Sequence, residues 1–577
     1  MTQTEMVRDD VSFAVVGTGG KGAITAGSIL LEVAGKGGWH GLLNRSVGPQ
    51  IRGGEAAALV RLATRPAFTM SRNFNILVAL DWKNADRFIA AMPVARGGLV
   101  ICDPTSGAPP QAVLDTDCTL VEVPIAQMAK AIKGGRENMI AVGLVAHLIG
   151  FSEAAVMEIV AAKLGRKGQE AVDIGRTCLE AGMAAAEAIT PTFPLAPAPK
   201  SEARRWLITG NEAVGLGVLR GGVRFAAAYP ITPATEVLEY LAPALARTGG
   251  ALVQAEDELA SINMALGASF GGRPSVTATS GPGLSLMMES LGLAAASETP
   301  VVVIDVMRAG PSTGIATKSE QSDLNIAVYG FHGDAPHVVL APLSVADCLF
   351  TGQFAVHVAE TLQSPVIVLS DQSIGQSRVL IDRPADMQFL TRRKAYRASG
   401  ESYKRYALTA DGVSPMAIPG QPGGQYTADG LTHGESGAPS SAAKDQREQM
   451  NKRARKIALF DFGDHWGVAE GDADADTVIL TWGSLTGAAR EVLGVKGVRA
   501  RLVALRLISP FPKAQLEAAL ASAKRVLIVE QSASGQLYRH IRAHMDLPGE
   551  LRQLNREGPD LIGPDEIAAH IRDWNLS

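Results

Sequence analysis

The sequence predicts a multidomain protein of the α/β class. Candidate strands and amphipathic helices alternate along most of the chain, which is typical of largely parallel sheets covered by helices. Apolar residues make up 46% of the 577 residues and aromatic residues only 5%, so we expect large cores built from aliphatic side chains. At roughly 150 residues per domain, this length predicts about three or four domains. A lone binding module is therefore excluded.

The charge balance and the apolar stretches argue against nucleic acid and membranes as partners. Lys and Arg number 54 against 58 Asp and Glu, so the formal net charge of −4 provides no global positive field. The longest nearly uncharged apolar stretch, residues 140–151, is too short to span a bilayer. The first residues lack the basic and apolar regions of a signal peptide, and we expect a cytoplasmic protein.

The cysteines argue against a metal site held by this chain alone. Cys102, Cys118, Cys178 and Cys348 lie far apart, without a C-x-x-C pattern or a neighbouring histidine cluster. Iron–sulfur clusters and structural zinc sites need closely grouped ligands. We expect buried, reduced thiols and no metal ligands.

The first predicted domain, residues 1–195, opens with a strand at 12–16, a glycine-rich turn, and an amphipathic helix that ends at Gly35. The turn contains four glycines: Gly17, Gly19, Gly20 and Gly22. Exposed N–H groups in such a turn can hold a phosphate, but no acidic residue follows about 20 positions later, which argues against NAD. A tight turn without a ligand is an equal alternative.

A second glycine-rich loop, residues 46–54, is flanked by Arg45 and contains Arg52, both possible donors to phosphate or carboxylate. The residues alone favour a structural loop with solvated arginines. The rest of this domain alternates strands with helices near 83–92 and from 139 onward, and prolines after residue 190 end it. The further strands are predicted at 56–62, 76–80, 99–102 and 119–123.

The second predicted domain, residues 205–385, reads as a doubly wound parallel sheet. Strands are predicted near 206–209, 224–228, 251–255, 274–278, 300–306, 337–340 and 365–369, with helices between them. The ligand crevice of such a sheet lies beyond the carboxyl ends of its strands. Motif residues should therefore lie at strand ends.

Three motifs lie at such ends. The first is Tyr229-Pro230-Ile231-Thr232-Pro233, whose prolines stiffen a loop that could form a ligand wall; alternatively, Pro233 only starts a helix that Thr232 caps. The second contains Ser280 and Gly281. The third contains Arg308, Ser312 and Thr313, which offer a guanidinium and two hydroxyls to a carboxylate, although an arginine after a strand is more often solvated.

Glu258 is singled out from the acids Glu256, Asp257 and Glu258 at the start of a predicted helix. At least two of the three should only interact favourably with the helix dipole. A small-residue stretch around Gly267 permits close packing against a partner. A carboxylate desolvated at such an interface would have a raised pKa and could exchange a proton near neutral pH.

Residues 386–472 are predicted to be a linker or extended segment, either disordered or packed on neighbouring domains or a partner, because they are rich in Gly, Pro, Ser and charge. The last predicted domain, residues 473–577, returns to α/β with strands at 478–481, 501–505 and 526–530.

Together, the motifs resemble the 2-oxoacid:ferredoxin (acceptor) oxidoreductase family, as an alpha subunit with the gamma domain fused at the N-terminus. GxGGxG and SVGPQIRGGEAAALVRLA resemble the gamma domain. GNEAVGLG, YPITP, EDELASINMALGAS, TSGPG and RAGPSTG resemble the alpha subunit's thiamine-pyrimidine domain, and PFP and EQSASGQ its transketolase-C-like domain. Most of the chain is covered, and the shared order of the motifs is specific.

The resemblance implies oxidative decarboxylation of a 2-oxoacid on thiamine diphosphate, with coenzyme A as acyl acceptor and ferredoxin as electron acceptor. The family's activating glutamate corresponds to Glu258, its threonine near substrate and cofactor to Thr232, and its anchor for the substrate 1-carboxylate to Arg308. Ser532 stands where similar proteins often carry Asn. The substrate is also expected to contact Ser312 and Thr313. The cofactor is expected to contact Tyr229, Pro230, Ile231, Ser280 and Gly281. Coenzyme A or another anion is expected to bind loops that contain Gly17, Gly19, Gly20, Gly22, Arg45 and Arg52.

No G-D-G motif with a downstream Asn is present to hold Mg²⁺ and the diphosphate. The family places Mg²⁺ and a [4Fe-4S] cluster in a beta subunit, so the resemblance implies an active site shared with that subunit in an (αβ)₂ heterotetramer. The fused arrangement looks most like enzymes acting on 2-oxoglutarate. Pyruvate and branched-chain 2-oxoacids remain open as substrates, and the reverse reaction, CO₂ fixation in a reductive TCA cycle, remains open as the direction. Two other classes of protein also remain open: a non-redox thiamine enzyme, and a non-catalytic subunit that binds acyl-CoA or a nucleotide.

Overall fold

The structure, a computed structural model, describes residues 7–47, 54–83, 89, 92–200, 204–389, 392–398 and 402–576. It divides into two compact units. The first unit comprises residues 1–208 and 377–384, and the second comprises residues 209–376 and 385–577.

Strands and helices alternate through both units. The strands are β1 (Asp10–Thr18), β2 (His40–Val47), β3 (Glu55–Ala63), β4 (Phe74–Ala79), β5 (Val94–Cys102), β6 (Cys118–Glu122), β7 (Arg205–Thr209), β8 (Phe225–Ala228), β9 (Ala251–Gln254), β10 (Ser275–Thr279), β11 (Val301–Met307), β12 (Val338–Leu340), β13 (Pro365–Asp371), β14 (Arg378–Asp382), β15 (Gly467–Gly471), β16 (Thr477–Trp482), β17 (Arg501–Leu505), β18 (Leu507–Ser509), β19 (Arg525–Glu530) and β20 (Glu550–Asn555). The helices are α1 (Ala23–Gly37), α2 (Gln111–Leu114), α3 (Ile125–Ala131), α4 (Glu137–Leu148), α5 (Glu153–Leu164), α6 (Gln169–Ala186), α7 (Gly210–Gly221), α8 (Thr235–Arg247), α9 (Glu258–Phe270), α10 (Gly281–Ala296), α11 (Leu324–Tyr329), α12 (Val345–Leu362), α13 (Gln372–Gln376), α14 (Ala443–Ala458), α15 (Leu485–Val492), α16 (Lys513–Leu520), α17 (Gln536–His544) and α18 (Pro564–Leu576).

The first unit contains an eight-stranded sheet in the order β6-β5-β4-β1-β3-β2-β14-β7. β1 runs parallel to β4 and antiparallel to β3, and all five strands predicted for this domain are present. Helix α1 ends at Gly37 rather than at Gly35, because Gly38 adopts the left-handed conformation that stops it. Most of the helix predicted near 83–92 lies outside the described residues.

One strand pairs in a different sheet from the one predicted. β7, expected to open the sheet of the second domain, instead lies at the edge of the first sheet, where it pairs with β14. Both strands are only partly buried, as edge strands are. The first unit therefore takes a strand from residues 378–382, well beyond the predicted end of the first domain.

The second unit contains a seven-stranded sheet in the order β18-β12-β13-β11-β10-β8-β9. Its predicted strands from β8 to β13 are all present and pair in parallel, which confirms the doubly wound sheet. β10, β11 and β13 are buried along their whole length, as expected of parallel strands covered by helices on both faces. A five-stranded sheet follows in the order β15-β17-β16-β19-β20.

The blocks predicted as 205–385 and 473–577 share one apolar core within the second unit. Leu291 and Val303 from the first block belong to the same buried cluster as Trp482 and Leu505 from the second. β18 also pairs antiparallel with β12 and so completes the seven-stranded sheet. The two blocks therefore pack as one body.

The segment 386–472 is not merely a linker, since it contains α14 and β15. α14 buries Lys452 and Lys456 against the fully buried Glu298, with Nζ–Oε1 and Nζ–Oε2 distances of 2.6 and 3.1 Å. Burial alone would raise the pKa of Glu298, but the charges of Lys456 and Lys452 lower it to about 2. This charge cluster anchors the segment to the end of α10.

No described helix combines the length and the apolar character needed to cross a bilayer. The four cysteines are unpaired thiols; three are buried and Cys118 is half-buried. Burial raises the pKa of each thiol above its ordinary value.

Candidate active site

Four motif segments begin where neighbouring strands of the seven-stranded sheet end. Residues 229–233 follow β8, residues 255–258 follow β9, residues 280–283 follow β10, and Arg308 follows β11. These strands are adjacent in the order β11-β10-β8-β9 and run parallel. Their carboxyl ends therefore share one edge of the sheet, where open parallel sheets bind ligands.

Glu258 is the buried member of the three consecutive acids. Glu256 is exposed, and Asp257 caps α9 by accepting a hydrogen bond from the N–H of Ala260 at 2.7 Å. Glu258 itself is only 7% exposed. A Cβ at position 283 would lie 2.7 Å from its Cγ and Oε1 atoms, so Gly283 leaves the space that the carboxylate occupies. The hydrogen bonds among the described residues include none to this carboxylate.

Arg308 connects the end of β11 to the loop that follows β8. Its Nη1 donates a hydrogen bond of 2.7 Å to the backbone oxygen of Thr232, and the residue is 7% exposed. Its buried Nε has no acceptor among the described residues. Burial lowers the pKa of Arg308, while the nearby carboxyls of Asp323, Asp305 and Glu258 oppose this shift. The guanidinium therefore keeps N–H groups available for a further acceptor.

Two acids beside Arg308 were not expected from the sequence. Asp305 lies within β11 and is fully buried, and Asp323 directly precedes α11. A Cβ at Gly281 would lie 2.6 Å from Oδ2 of Asp323. The two glycines of the TSGPG motif therefore leave room for two carboxyl groups, Gly281 for that of Asp323 and Gly283 for that of Glu258. An aspartate inside the otherwise apolar stretch VVVIDVM was the available signal.

The remaining predicted contact residues surround this edge in different ways. Tyr229 and Thr232 have exposed side chains, and Ser280 is fully buried with an Oγ that has no partner among the described residues. Ser312 and Thr313 lie on an exposed turn, closed by a bridge between residues 309 and 315. Among the described residues, no hydrogen bond joins their side chains to Arg308. Pro230, Ile231 and Gly281 are partly buried.

The loop that carries Asp323 is held by residues of the last predicted domain. The side-chain amide of Gln536 donates to the backbone oxygen of Ser322 at 2.7 Å and accepts from the N–H of Asn325 at 2.8 Å. The backbone N–H of Gln321 donates to the backbone oxygen of Gln531 at 2.8 Å, and the backbone N–H of Gln531 donates to Oε1 of Gln321 at 2.9 Å. The EQSASGQ motif thus contributes to the site through this loop.

Asn211 supports the 229–233 loop from behind. It is fully buried in the first turn of α7, and its Nδ2 donates to the backbone oxygen of Pro233 at 3.0 Å. The start of α7 is fixed by a capping box formed by Thr209 and Glu212. The GNEAVGLG motif therefore positions the YPITP loop.

In the first unit, the glycine-rich turn is occupied by internal hydrogen bonds. The N–H and hydroxyl of Thr18 donate to Asp81 at 3.1 and 2.9 Å, and Lys21 donates to Glu137 at 2.9 Å. The N–H of Gly19 is bonded to the backbone oxygen of Gly54. This geometry favours the structural alternative for Gly17–Gly22. Arg45 has an exposed side chain, and Arg52 lies outside the described residues.

Family descriptions match three consecutive parts of the chain. Residues 12–185 match "Pyruvate ferredoxin/flavodoxin oxidoreductase". Residues 216–452 match the thiamine diphosphate-binding region of pyruvate flavodoxin/ferredoxin oxidoreductase, and residues 475–567 match core domain II of pyruvate:ferredoxin oxidoreductase.

Individual proteins agree with these descriptions. The alpha subunit of 2-oxoacid:ferredoxin oxidoreductase 1 of Sulfurisphaera tokodaii is 38% identical over 358 residues, 59% of this chain and 56% of that protein. The 2-oxoglutarate synthase subunit KorA of Methanothermobacter marburgensis is 35% identical over 375 residues, 63% of this chain and 98% of that protein. The match thus spans about half of the first relative and nearly all of the second.

A solved structure extends the comparison. The 2-oxoglutarate:ferredoxin oxidoreductase of Magnetococcus marinus, with 2-oxoglutarate, coenzyme A and succinyl-CoA bound, superposes with a TM-score of 0.89 at 36% identity, covering 98% of this chain and 99% of that chain. The fold and the matches define an oxidoreductase subunit with a thiamine diphosphate-binding domain. The chain belongs to the 2-oxoacid:ferredoxin oxidoreductase family.

The residues at the sheet edge fit the aminopyrimidine of thiamine diphosphate. Glu258 is 7% exposed, and no hydrogen bond from a described group reaches its carboxylate, so the carboxylate is available to a donor on a ligand. The buried, unpartnered Oγ of Ser280 lies at the end of β10 in the same sheet, with β8 between it and the strand that leads to Glu258. A ring nitrogen that carries a proton could donate to this carboxylate.

Proposed function

We propose that this chain is the alpha subunit of a coenzyme A-dependent 2-oxoacid:ferredoxin oxidoreductase, with 2-oxoglutarate as its substrate. The reaction would convert 2-oxoglutarate and coenzyme A to succinyl-CoA and CO₂, with two electrons passed to ferredoxin, or would run in reverse as a reductive carboxylation. The observation that carries the proposal is the largely buried carboxylate of Glu258, without a hydrogen bond among the described residues, near the guanidinium of Arg308 at the carboxyl ends of the strands.

Glu258 would hold the aminopyrimidine ring through a hydrogen bond in which its carboxyl group and the ring nitrogen share one proton. When bound, thiamine diphosphate supplies the carbon nucleophile on which a 2-oxoacid loses CO₂. Because Glu258 lies at the first turn of α9 and against Gly283, its carboxylate has little freedom to turn away. A fixed carboxylate of this kind can exchange a proton with the bound ring.

Arg308 would bind the 1-carboxylate of the substrate. Its hydrogen bond to the Thr232 backbone leaves Nε and the other guanidinium N–H groups for a planar acceptor. The exposed side chains of Thr232 and Tyr229 lie on the same loop and would line the substrate and cofactor. Ser312 and Thr313, on the exposed turn beyond Arg308, would add hydroxyl contacts to the substrate.

The choice of 2-oxoglutarate rests on named relatives. The KorA proteins are 2-oxoglutarate synthase subunits, and the Magnetococcus marinus structure contains 2-oxoglutarate, coenzyme A and succinyl-CoA. The Sulfurisphaera tokodaii relative carries the broader 2-oxoacid name, which keeps pyruvate in the test. Relative kcat/KM values for 2-oxoglutarate, pyruvate and a branched-chain 2-oxoacid decide between them.

A beta subunit would complete the site by holding Mg²⁺, the diphosphate and a [4Fe-4S] cluster, in an (αβ)₂ assembly that reduces ferredoxin in the cytoplasm. The surface around the site supports such a partner. Large apolar side chains are exposed on the edge strand β9 and on α9 and α10: Val253, Leu259, Met264 and Leu286. Exposed apolar groups on adjoining elements are typical of protein interfaces.

The test is turnover of the complex assembled with its beta subunit, under anaerobic conditions with coenzyme A and a dye acceptor. Glu258→Gln should lower kcat by at least about 100-fold, since a positioned acid–base group contributes roughly that much or more. Glu256→Gln, the same change at an exposed neighbour, should leave kcat within about twofold of the parent. Normal turnover by Glu258→Gln, or full activity of the chain without a beta subunit, would refute the proposal.

A further inference from the structure

The proposed chemistry leaves two acids at the sheet edge unexplained, Asp305 and the half-buried Asp323. Asp305 is fully buried, and neither of its oxygens receives a hydrogen bond from an N–H or hydroxyl group of the described residues. Oδ2 of Asp323 is buried and likewise lacks such a donor. Burying carboxylates without donors is costly, so another interaction must stabilise them.

The two carboxyl groups lie close enough to share a hydrogen bond with each other. Two ionised carboxylates cannot form one, because both only accept, so one of the pair must carry a proton. Burial raises the pKa of both acids, and the charge of Asp323 raises that of Asp305 further. This is the behaviour expected of two acids that share one site.

The surrounding charges are few and identifiable. Arg308 faces both acids and lowers their pKa values, whereas Glu320 raises that of Asp323. Glu258 faces Arg308 from α9. If both acids were ionised, Arg308 would have three carboxylates around it, those of Asp305, Asp323 and Glu258, in addition to Glu320. These negative charges would repel an anionic substrate and compete with it for the N–H groups of Arg308.

The pair is also held rigidly. Asp305 lies within β11, in register with Thr279 of β10 and Leu369 of β13. Asp323 is placed by the loop that Gln321 and Gln536 fix, and Gly281 gives it room at the start of α10. A fixed pair can orient a neighbouring guanidinium reproducibly.

We propose that Asp305 and Asp323 share one proton and so keep Arg308 oriented and available for the carboxylate of the 2-oxoacid. They are positioning residues, and this role rests on the proposed function. When the pH rises through the titration of the pair, the second negative charge forms beside Arg308 and binding of the oxoacid weakens. The shared proton thus sets the upper pH limit for substrate binding.

The first test needs no turnover. Infrared spectra of the purified full-length chain are recorded at about pH 8, where ordinary Asp and Glu side chains are ionised. The parent should show a protonated-carboxyl band that is weaker in Asp305→Asn, whereas Asp334→Asn, the same change at an exposed position, should not alter it. Identical bands in the parent and Asp305→Asn would overturn proton sharing.

The second test measures KM and kcat of the assembled enzyme between about pH 6 and 9. KM for the oxoacid should rise at least about 10-fold toward high pH in the parent and stay nearly flat in Asp305→Asn, whose amide donates as the neutral acid does but cannot ionise. Asp305→Ala should raise KM at every pH with a smaller effect on kcat. Rescue by Asn but not by Ala distinguishes positioning from packing.

The two tests separate the possible failures. An active enzyme whose KM follows the same pH curve in the parent and Asp305→Asn overturns the positioning role alone. A complex that is inactive with every 2-oxoacid overturns the proposed function, and with it the role toward substrate, while the infrared comparison still decides whether the proton is shared.

Discussion

Replacing Glu298 with glutamine should loosen α14, the helix that anchors residues 386–472. Lowering the pKa of Glu298 from 4.5 to about 2 corresponds to roughly 3 kcal/mol in favour of its charged form in the folded protein. The substitution also leaves Lys452 and Lys456 buried without an opposite charge, and losing one partner of a buried pair costs about 3–5 kcal/mol. We therefore expect local opening of α14 to increase at least roughly 100-fold.

Hydrogen–deuterium exchange measures this opening directly on peptides from residues 443–458. Glu289→Gln, the same change on the exposed face of α10, is the control and should leave exchange unchanged. The double variant Glu298→Gln/Lys452→Met removes opposite charges together and should recover part of the protection. The difference between parent and variant should hold above pH 4.5 and shrink as the pH falls toward 2, because Glu298 then becomes protonated. Exchange in Glu298→Gln within about fivefold of the control would refute the role of the cluster.

Two further predictions concern the second unit. Gly283→Ala should lower turnover of the assembled enzyme at least about 10-fold, because the new Cβ would collide with Oγ1 of Thr279 and lie 2.7 Å from Cγ and Oε1 of Glu258, so that Glu258 must shift. Gly165→Ala, whose Cβ meets nothing within 4 Å, is the control, and equal turnover in the two variants would contradict this view. Burial lowers the pKa of His540 to about 4, so the folded parent should lose stability as the pH falls from 6.5 toward 4. The melting temperature of His540→Asn should depend less on pH in that window. Equal pH dependence of the melting temperatures of the parent and His540→Asn would contradict this prediction.

The sequence predicts the parallel strands well because most are continuous apolar runs with turn residues on both sides. Strands β8, β11, β12 and β13 are largely of this kind, whereas β10 mixes Val and Ala with Ser and Thr. The motif loops follow the ends of β8 to β11 and so lie at one edge of the sheet. β2 and β14 were missed because they carry mixed polar and apolar residues and lie at the outer part of an antiparallel region. For such strands, pairing partners decide the structure more than the local sequence does.

The charged helix α14 shows a second limit of sequence reasoning. Its residues lie in the stretch predicted to be a linker or extended segment, yet they form a helix in which Lys452 and Lys456 are buried. Only the position of Glu298, more than 150 residues earlier in the chain, explains their burial. In the candidate site, Glu258 and Arg308 were found from motifs, whereas Asp305 and Asp323 became visible only when folding placed them together.

The strand β14 has a consequence for how the protein is made. The first 200 residues leave a ribosome with the β2 side of their sheet open, since the strand that covers β2 is supplied by residues 378–382. At roughly 5–20 residues per second, that edge waits about 10–40 s for its cover. During this time the nascent chain offers unpaired backbone groups to any other extended polypeptide nearby. Cotranslational folding of the first unit therefore finishes only after most of the second unit's parallel sheet has been synthesised.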